Sequence, residues 1–161
     1  MAASMMLAAV LTAGGVMATG ASTAVNEQEG PPAHQVVAIY FHRVERCPTC
    51  KRIGAMAEKA VSNGFEKDAE TRAVEFHYVN FQGKKNAKLA RACGIELPTL
   101  VLANVFEGET VCWTSMPEVW RLVGKPDDFR AYVHDGVVRY LKQTKQDAAQ
   151  EGERRRSPRN D

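Results

Sequence analysis

Arg46-Cys47-Pro48-Thr49-Cys50-Lys51 follows an unbroken apolar run, Val36-Val37-Ala38-Ile39-Tyr40-Phe41, and opens a segment in which Ile53, Met56, Ala57, Ala60 and Val61 recur at helical spacing. The β-rich run suits a central strand buried on both faces. The order is therefore strand, short loop (His42–Arg46), Cys-x-x-Cys, helix. Two intervening residues let one helical turn bring both sulfurs close enough to bond. The first cysteine then stands at the helix N-terminus, where unpaired N–H groups and the macrodipole favour a thiolate. The thiolate is the nucleophile of disulfide exchange, so this placement governs reactivity.

Cys47 is the candidate attacking thiolate and Cys50 the candidate resolving thiol. Arg43, Arg46, Lys51 and Arg52 surround them, opposed only by Glu45. Cations favour the charged sulfur, so a depressed Cys47 pKa is expected. Pro48 fits the first helical position without losing a hydrogen bond. The competing readings are half of a zinc site and an inert pair. Zinc needs two further ligands, and the chain holds no second Cys-x-x-Cys. His42 is the only histidine near the pair; it can shuttle a proton or simply be satisfied by backbone at a strand end. No role is assigned to His34, His77 or His134. Cys93 and Cys112 read as small buried hydrophobes, with a second redox pair as the alternative. Four cysteines allow three pairings, and sequence does not choose among them.

Downstream, Asn63-Gly64 ends the first helix and Phe65–Arg72 is irregular or briefly helical. Val74–Asn80 reads as a second strand, and Asn86–Cys93 as a short helix closed by Gly94. In Leu97-Pro98-Thr99-Leu100-Val101-Leu102 the proline must lie at the start or edge of a strand, because it cannot donate to a ladder. Glu107-Gly108-Glu109 turns the chain into a hairpin strand, Thr110–Trp113. Ser115-Met116-Pro117-Glu118 has capping-box spacing for a short helix stopped by Gly124 and Pro126. Asp127 or Asp128 caps a last helix whose apolar stripe runs from Phe129 to Leu141.

The order β-α-β-α-β-β-α, with Cys-x-x-Cys after the first strand, resembles the thioredoxin-like fold over about Val36–Leu141. That resemblance implies an α/β fold with a central four-stranded mixed sheet flanked by helices. It also implies a proline packed beside the redox pair; Pro98, with Leu97 before it, matches that position. A narrower resemblance rests on Tyr40-Phe41-His42, Arg46-Cys47-Pro48-Thr49-Cys50, Val119-Trp120-Arg121-Leu122-Val123-Gly124 and Phe129–Tyr132. These are similar to small exported thioredoxin-like proteins of the ArsF family, nitrophenyl compound nitroreductase subunits. The family implies a redox-partner role. Its members tend to carry an acidic residue where this chain has Gly54, so proton handling there is not carried over.

The 161 residues suit one domain plus tails. Residues 1–25 lack charged side chains and read as an export signal or membrane anchor, which implies an extracytoplasmic protein; a disordered cytosolic extension is the alternative. Residues 26–34 read as a linker, 35–142 as the folded domain and 143–161 as a disordered tail, since the tail has almost no apolar side chain beyond alanine. A net charge of +2 is too weak to argue for nucleic acid, and Arg154-Arg155-Arg156 reads as part of a solvated tail. Trp113, Met116 and Trp120 either form a landing surface or fill core.

Three functions fit these residues. The first is thiol–disulfide exchange, needing no cofactor, with protein thiols, protein disulfides or a reductase as partner. The second is binding of a thiophilic metal or metalloid ion. The third is non-catalytic electron transfer within a larger reductase.

Overall fold

Val36, Ala38 and Tyr40 alternate along one strand and are fully buried, as period-two patterning against a single core requires. In the computed structural model, which describes residues 31–70 and 72–156, they lie on β1 (His34–His42). The chain continues through α1 (Pro48–Gly64), α2 (Glu66–Glu70), β2 (Val74–Asn80), α3 (Ala87–Ala92), β3 (Thr99–Phe106) and β4 (Glu109–Ser115). It ends with α4 (Val119–Leu122), α5 (Pro126–Leu141) and α6 (Lys145–Arg156). The result is an α/β protein whose four-stranded mixed sheet, in the order β2-β1-β3-β4, is flanked by helices.

β1 pairs parallel with β2 and antiparallel with β3. The parallel pairing follows from the helical crossover, and the antiparallel β3–β4 pairing from a two-residue turn. Both turn residues, Glu107 and Gly108, have positive φ (54° and 81°), the type I′ geometry that matches strand twist. The start of the described chain and the start of α6 both touch this turn. The Glu107 N–H donates to Ala33 C=O at 3.1 Å, the Pro31 ring packs over Gly108, and Lys145 pairs with Glu107.

The main core joins Val36, Ala38 and Tyr40 to Leu100 and Leu102 of β3, Ile53, Ala57 and Val61 of α1, and Phe129, Val133 and Val137 of α5. Each of the larger side chains contributes about 1.5–3 kcal/mol of transfer free energy on full burial. Hence the apolar spacing on α1 and α5 places both helices against the sheet.

Several expectations need correction. His34 opens β1 instead of ending a linker. Ser115 closes β4 and caps nothing; α4 starts after Glu118 without a side-chain cap. Pro126 does not stop a helix but starts α5, its fixed φ suiting the first turn, and Asp127 and Asp128 lie within that turn. The expected export or anchor segment (1–25), residues 26–30 of the linker and residues 157–161 of the tail lie outside the described residues. No described helix is long and apolar enough to cross a membrane.

The largest difference is α6, where a disordered tail was expected. Thr144 and Asp147 form a reciprocal cap: Asp147 Oδ2 accepts from the Thr144 N–H at 3.0 Å, and Thr144 Oγ1 accepts from the Asp147 N–H at 3.2 Å. Ala148 is fully buried in the main core. A Cβ on Gly152 would lie 2.8 Å from the Val111 carbonyl oxygen, so only glycine lets the helix sit this close to β4. The helix docks through small residues and polar pairing, which hydropathy does not register. Asn104, fully buried on β3, donates to Gln143 Oε1 at 2.7 Å. Gln143 donates to Glu151 Oε2 at 2.7 Å, and Arg155 donates twice to Glu151 Oε1.

Candidate functional site

The loop after β1 delivers Cys47 to the N-cap of α1, in extended backbone, with Pro48 in the first turn. Cys47 and Cys50 are joined as a disulfide, their Cα atoms 5.1 Å apart. Cys47 Sγ accepts a hydrogen bond from the Cys50 N–H at 3.0 Å, one of the donors a helix start leaves free. The first turn carries no acidic side chain to oppose a negative sulfur. Cys47 is exposed and Cys50 is 8% exposed, so an incoming reactant meets Cys47 first. The pair fits a Cys-x-x-Cys redox motif.

Antiparallel pairing sets Thr99 opposite Phe41, which brings the start of β3 beside the end of β1. Pro98 precedes that first β3 residue and is buried, while Leu97 is 64% exposed. A groove of about 480 Å³ runs between them and the cysteines, lined by Arg43, Glu45, Cys47, Cys50, Leu97, Pro98 and Trp120. The Trp120 indole N–H donates to Pro98 C=O at 3.0 Å, fixing one wall.

No family model, curated protein or solved structure matches this chain. The site is therefore understood from its own geometry.

The cations expected around Cys47 divide. Arg43 lines the groove, whereas the Arg46 guanidinium lies over the Tyr78 ring, 5.3 Å from its centroid. His42 is buried and its Nδ1–H donates to the Arg43 carbonyl at 2.8 Å, the backbone-satisfied arrangement. Trp120 belongs to the groove, but Met116 is core and Trp113 lies half-buried on β4, outside the groove lining. Cys93 and Cys112 are buried free thiols, and burial pushes both upward in pKa. That favours the neutral, unreactive form at neutral pH.

Two residues beneath the pair escaped the sequence reading. Tyr40 is fully buried and its hydroxyl donates to Cys50 C=O at 2.9 Å; burial pushes its pKa up to about 12. Tyr78 meets the Tyr40 ring edge-on and donates to Glu58 Oε2 at 3.0 Å. Burial and that hydrogen bond raise Tyr78 to about 12 as well. Gly54 makes this stack possible, since a Cβ there would lie 2.9 Å from both rings. The available signal was a glycine at a buried helical position, which implies close approach by a neighbour. Among the described residues no group of three or more His, Cys, Asp or Glu side chains is placed to hold a metal ion.

Proposed function

We propose that this protein is a thioredoxin-like thiol–disulfide oxidoreductase acting through Cys47 and Cys50. The observation that carries the reading is the asymmetry of the pair. Its exposed sulfur sits at a helix N-terminus, its partner is shielded, and both border an apolar groove that ends at a buried proline. The strand order and the flanking helices support the thioredoxin-like assignment.

In the reducing direction the Cys47 thiolate attacks a substrate disulfide, forming the Cys47–substrate bond and expelling one substrate sulfur as a thiolate that takes up a proton. Cys50 then loses its proton and attacks Cys47 Sγ. The second substrate sulfur leaves, and the Cys47–Cys50 disulfide remains. Two electrons have passed to the substrate; the reverse sequence oxidises a dithiol. Which direction prevails depends on the potential of the pair against its compartment. Exposed Leu97 and Trp120 give the rim an apolar character suited to a protein partner, including a larger reductase such as the ArsF-family resemblance implies. Export directed by residues 1–25 would place the pair where disulfides persist.

The test is reduction of insulin disulfides by the full-length chain, with the pair's potential measured against glutathione. Turnover that disappears in Cys47→Ser supports the reading. Turnover equal in the variant and the natural chain excludes it. A thiophilic ion bound at one equivalent, with no turnover, would favour the ion-binding function instead, although the pair offers only two sulfurs and has no third ligand among the described residues.

A further inference from the structure

The redox groove is lined by two kinds of surface. Arg43 and Glu45, two residues apart on the loop after β1, bring one charge of each sign. Their fields oppose one another, so a substrate's net charge is a weak basis for selection. The rest of the lining beside the sulfurs is apolar: Leu97, Pro98 and Trp120. Leu97 is 64% exposed and Trp120 38%, so both can meet an incoming reactant.

Trp120 is fixed in place. It follows Val119, which is fully buried and anchors α4 in the core. Just before α4, the Met116 N–H donates to Leu100 C=O at 2.8 Å and ties the segment to β3. The Trp120 indole N–H donates to Pro98 C=O at 3.0 Å, on the buried proline that precedes β3. An indole has one donor and no acceptor. Here that donor is taken by the protein, so the ring offers a substrate only apolar and π contact. Its orientation is set before binding, which removes the ordering cost that a free side chain would add.

We propose that Trp120 is a specificity-determining residue for disulfide exchange. It favours polypeptide disulfides that carry an aromatic or other large apolar side chain next to the cysteine attacked by Cys47. The inference rests on the redox reading above and concerns binding before attack, so the sulfur chemistry is unchanged. Burial of one such side chain against Trp120 and Leu97 should raise kcat/KM about tenfold, mainly through KM.

The test follows reduction of synthetic peptide disulfides by the full-length chain, with dithiothreitol as the reductant. The peptides are alike except for the residue beside the cysteine, which is Phe, Ser, Glu or Lys. The Phe peptide should be turned over about tenfold more efficiently than the Ser peptide. The Glu and Lys peptides should differ from each other by less than that. Trp120→Ala should bring the Phe-to-Ser ratio near one. Trp120→Phe keeps an apolar ring but cannot donate to Pro98, and its ratio should lie between the two. Damage to the redox pair slows both peptides alike, so the ratio reads selection and not integrity of the site. Trp113→Phe, outside the groove lining, should leave the ratio unchanged. Melting temperatures identify an unfolded variant, and Trp120→Phe carries the test if Trp120→Ala does not fold. The inference is overturned by equal rates for the Phe and Ser peptides, by an unchanged ratio in Trp120→Ala, or by a Trp120→Phe ratio that does not fall below that of the natural chain. A Glu-to-Lys difference larger than the Phe-to-Ser difference also overturns it, since selection would then follow charge. Loss of turnover on insulin and on every peptide overturns the redox reading itself, whereas insulin turnover without peptide selectivity overturns this inference alone.

Discussion

Tyr40 reaches from the middle of the sheet to hold the carbonyl of Cys50, hydroxyl to oxygen at 2.9 Å. That oxygen belongs to the first turn of α1, so the strand fixes the turn that presents both sulfurs. Tyr40→Phe keeps the ring and removes the bond. It should lower stability by about 0.5–1.5 kcal/mol. Urea unfolding and the redox potential of the pair should both move; an unchanged potential would show that the bond does not bear on the cysteines.

Gly54→Ala separates two opposing effects. Helix propensity alone predicts a gain of about 1 kcal/mol. The added Cβ, however, would lie 2.9 Å from the Tyr40 and Tyr78 rings, and ring displacement in a packed core costs roughly 1–3 kcal/mol. Net destabilisation is expected, larger still for Gly54→Glu, and urea midpoints of the two variants would check it.

Arg43 and Arg46 should differ as influences on Cys47. Arg43→Gln removes the cation lining the groove and should raise the Cys47 pKa, slowing alkylation near neutral pH. Arg46→Gln removes a cation held over Tyr78 and should slow it less. In the same mass-spectrometric series Cys50→Ser should trap a mixed disulfide on Cys47, while Cys47→Ser forms none. Adducts accumulating on Cys50 would reverse the two roles.

Ending the chain at Thr144 should cost roughly 2 kcal/mol or more, because it uncovers Ala148's site in the core and strips Gln143 of its Glu151 partner. Cys112, buried in the same cluster, should become reactive to thiol reagents. A melting temperature unchanged by truncation, with Cys112 still protected, would show that α6 is not held there.

Glu151 should make stability depend on acid pH. Burial pushes its pKa up, but hydrogen bonds from Arg155 and Gln143 and the Arg139 charge outweigh burial and leave it below the ordinary 4.5. A depressed carboxylate stabilises above its unfolded pKa, and the benefit is lost as pH falls through the folded value. Glu151→Gln should therefore lower the melting temperature near neutral pH. The gap to the natural chain should close as pH drops below the carboxylate range. A gap independent of pH would assign the effect to shape and not to charge.

The β1 run, the Cys-x-x-Cys and Pro98 were legible because each leaves a local mark: an apolar run, a fixed spacing, a residue that cannot enter a ladder. Tyr40 was legible as a strand residue but not as a partner of Cys50, since that contact depends on how α1 crosses β1. The Arg46 contact with Tyr78 was hidden for the same reason, since adjacency in sequence says nothing about a ring on the next strand. In α6 the misleading signal was hydropathy. Its docking uses Ala148 and Gly152, and buried contact through small residues leaves little apolar signature. Thr144 and Asp147 at capping-box spacing, with Glu151 and Arg155 four apart, did carry a helix signal.

The Glu107–Gly108 turn has a topological consequence. Because Ala33 and Lys145 both meet it, the backbone nearly closes on itself before α6 begins. α6 then carries the chain only about 18 Å further, a gap that about six extended residues can bridge. A circularly permuted gene made of the described residues alone can therefore join Arg156 to Pro31 and open the chain at exposed Lys84 and Lys85, between β2 and α3, keeping the strand order while reversing which half of the sheet is synthesised first.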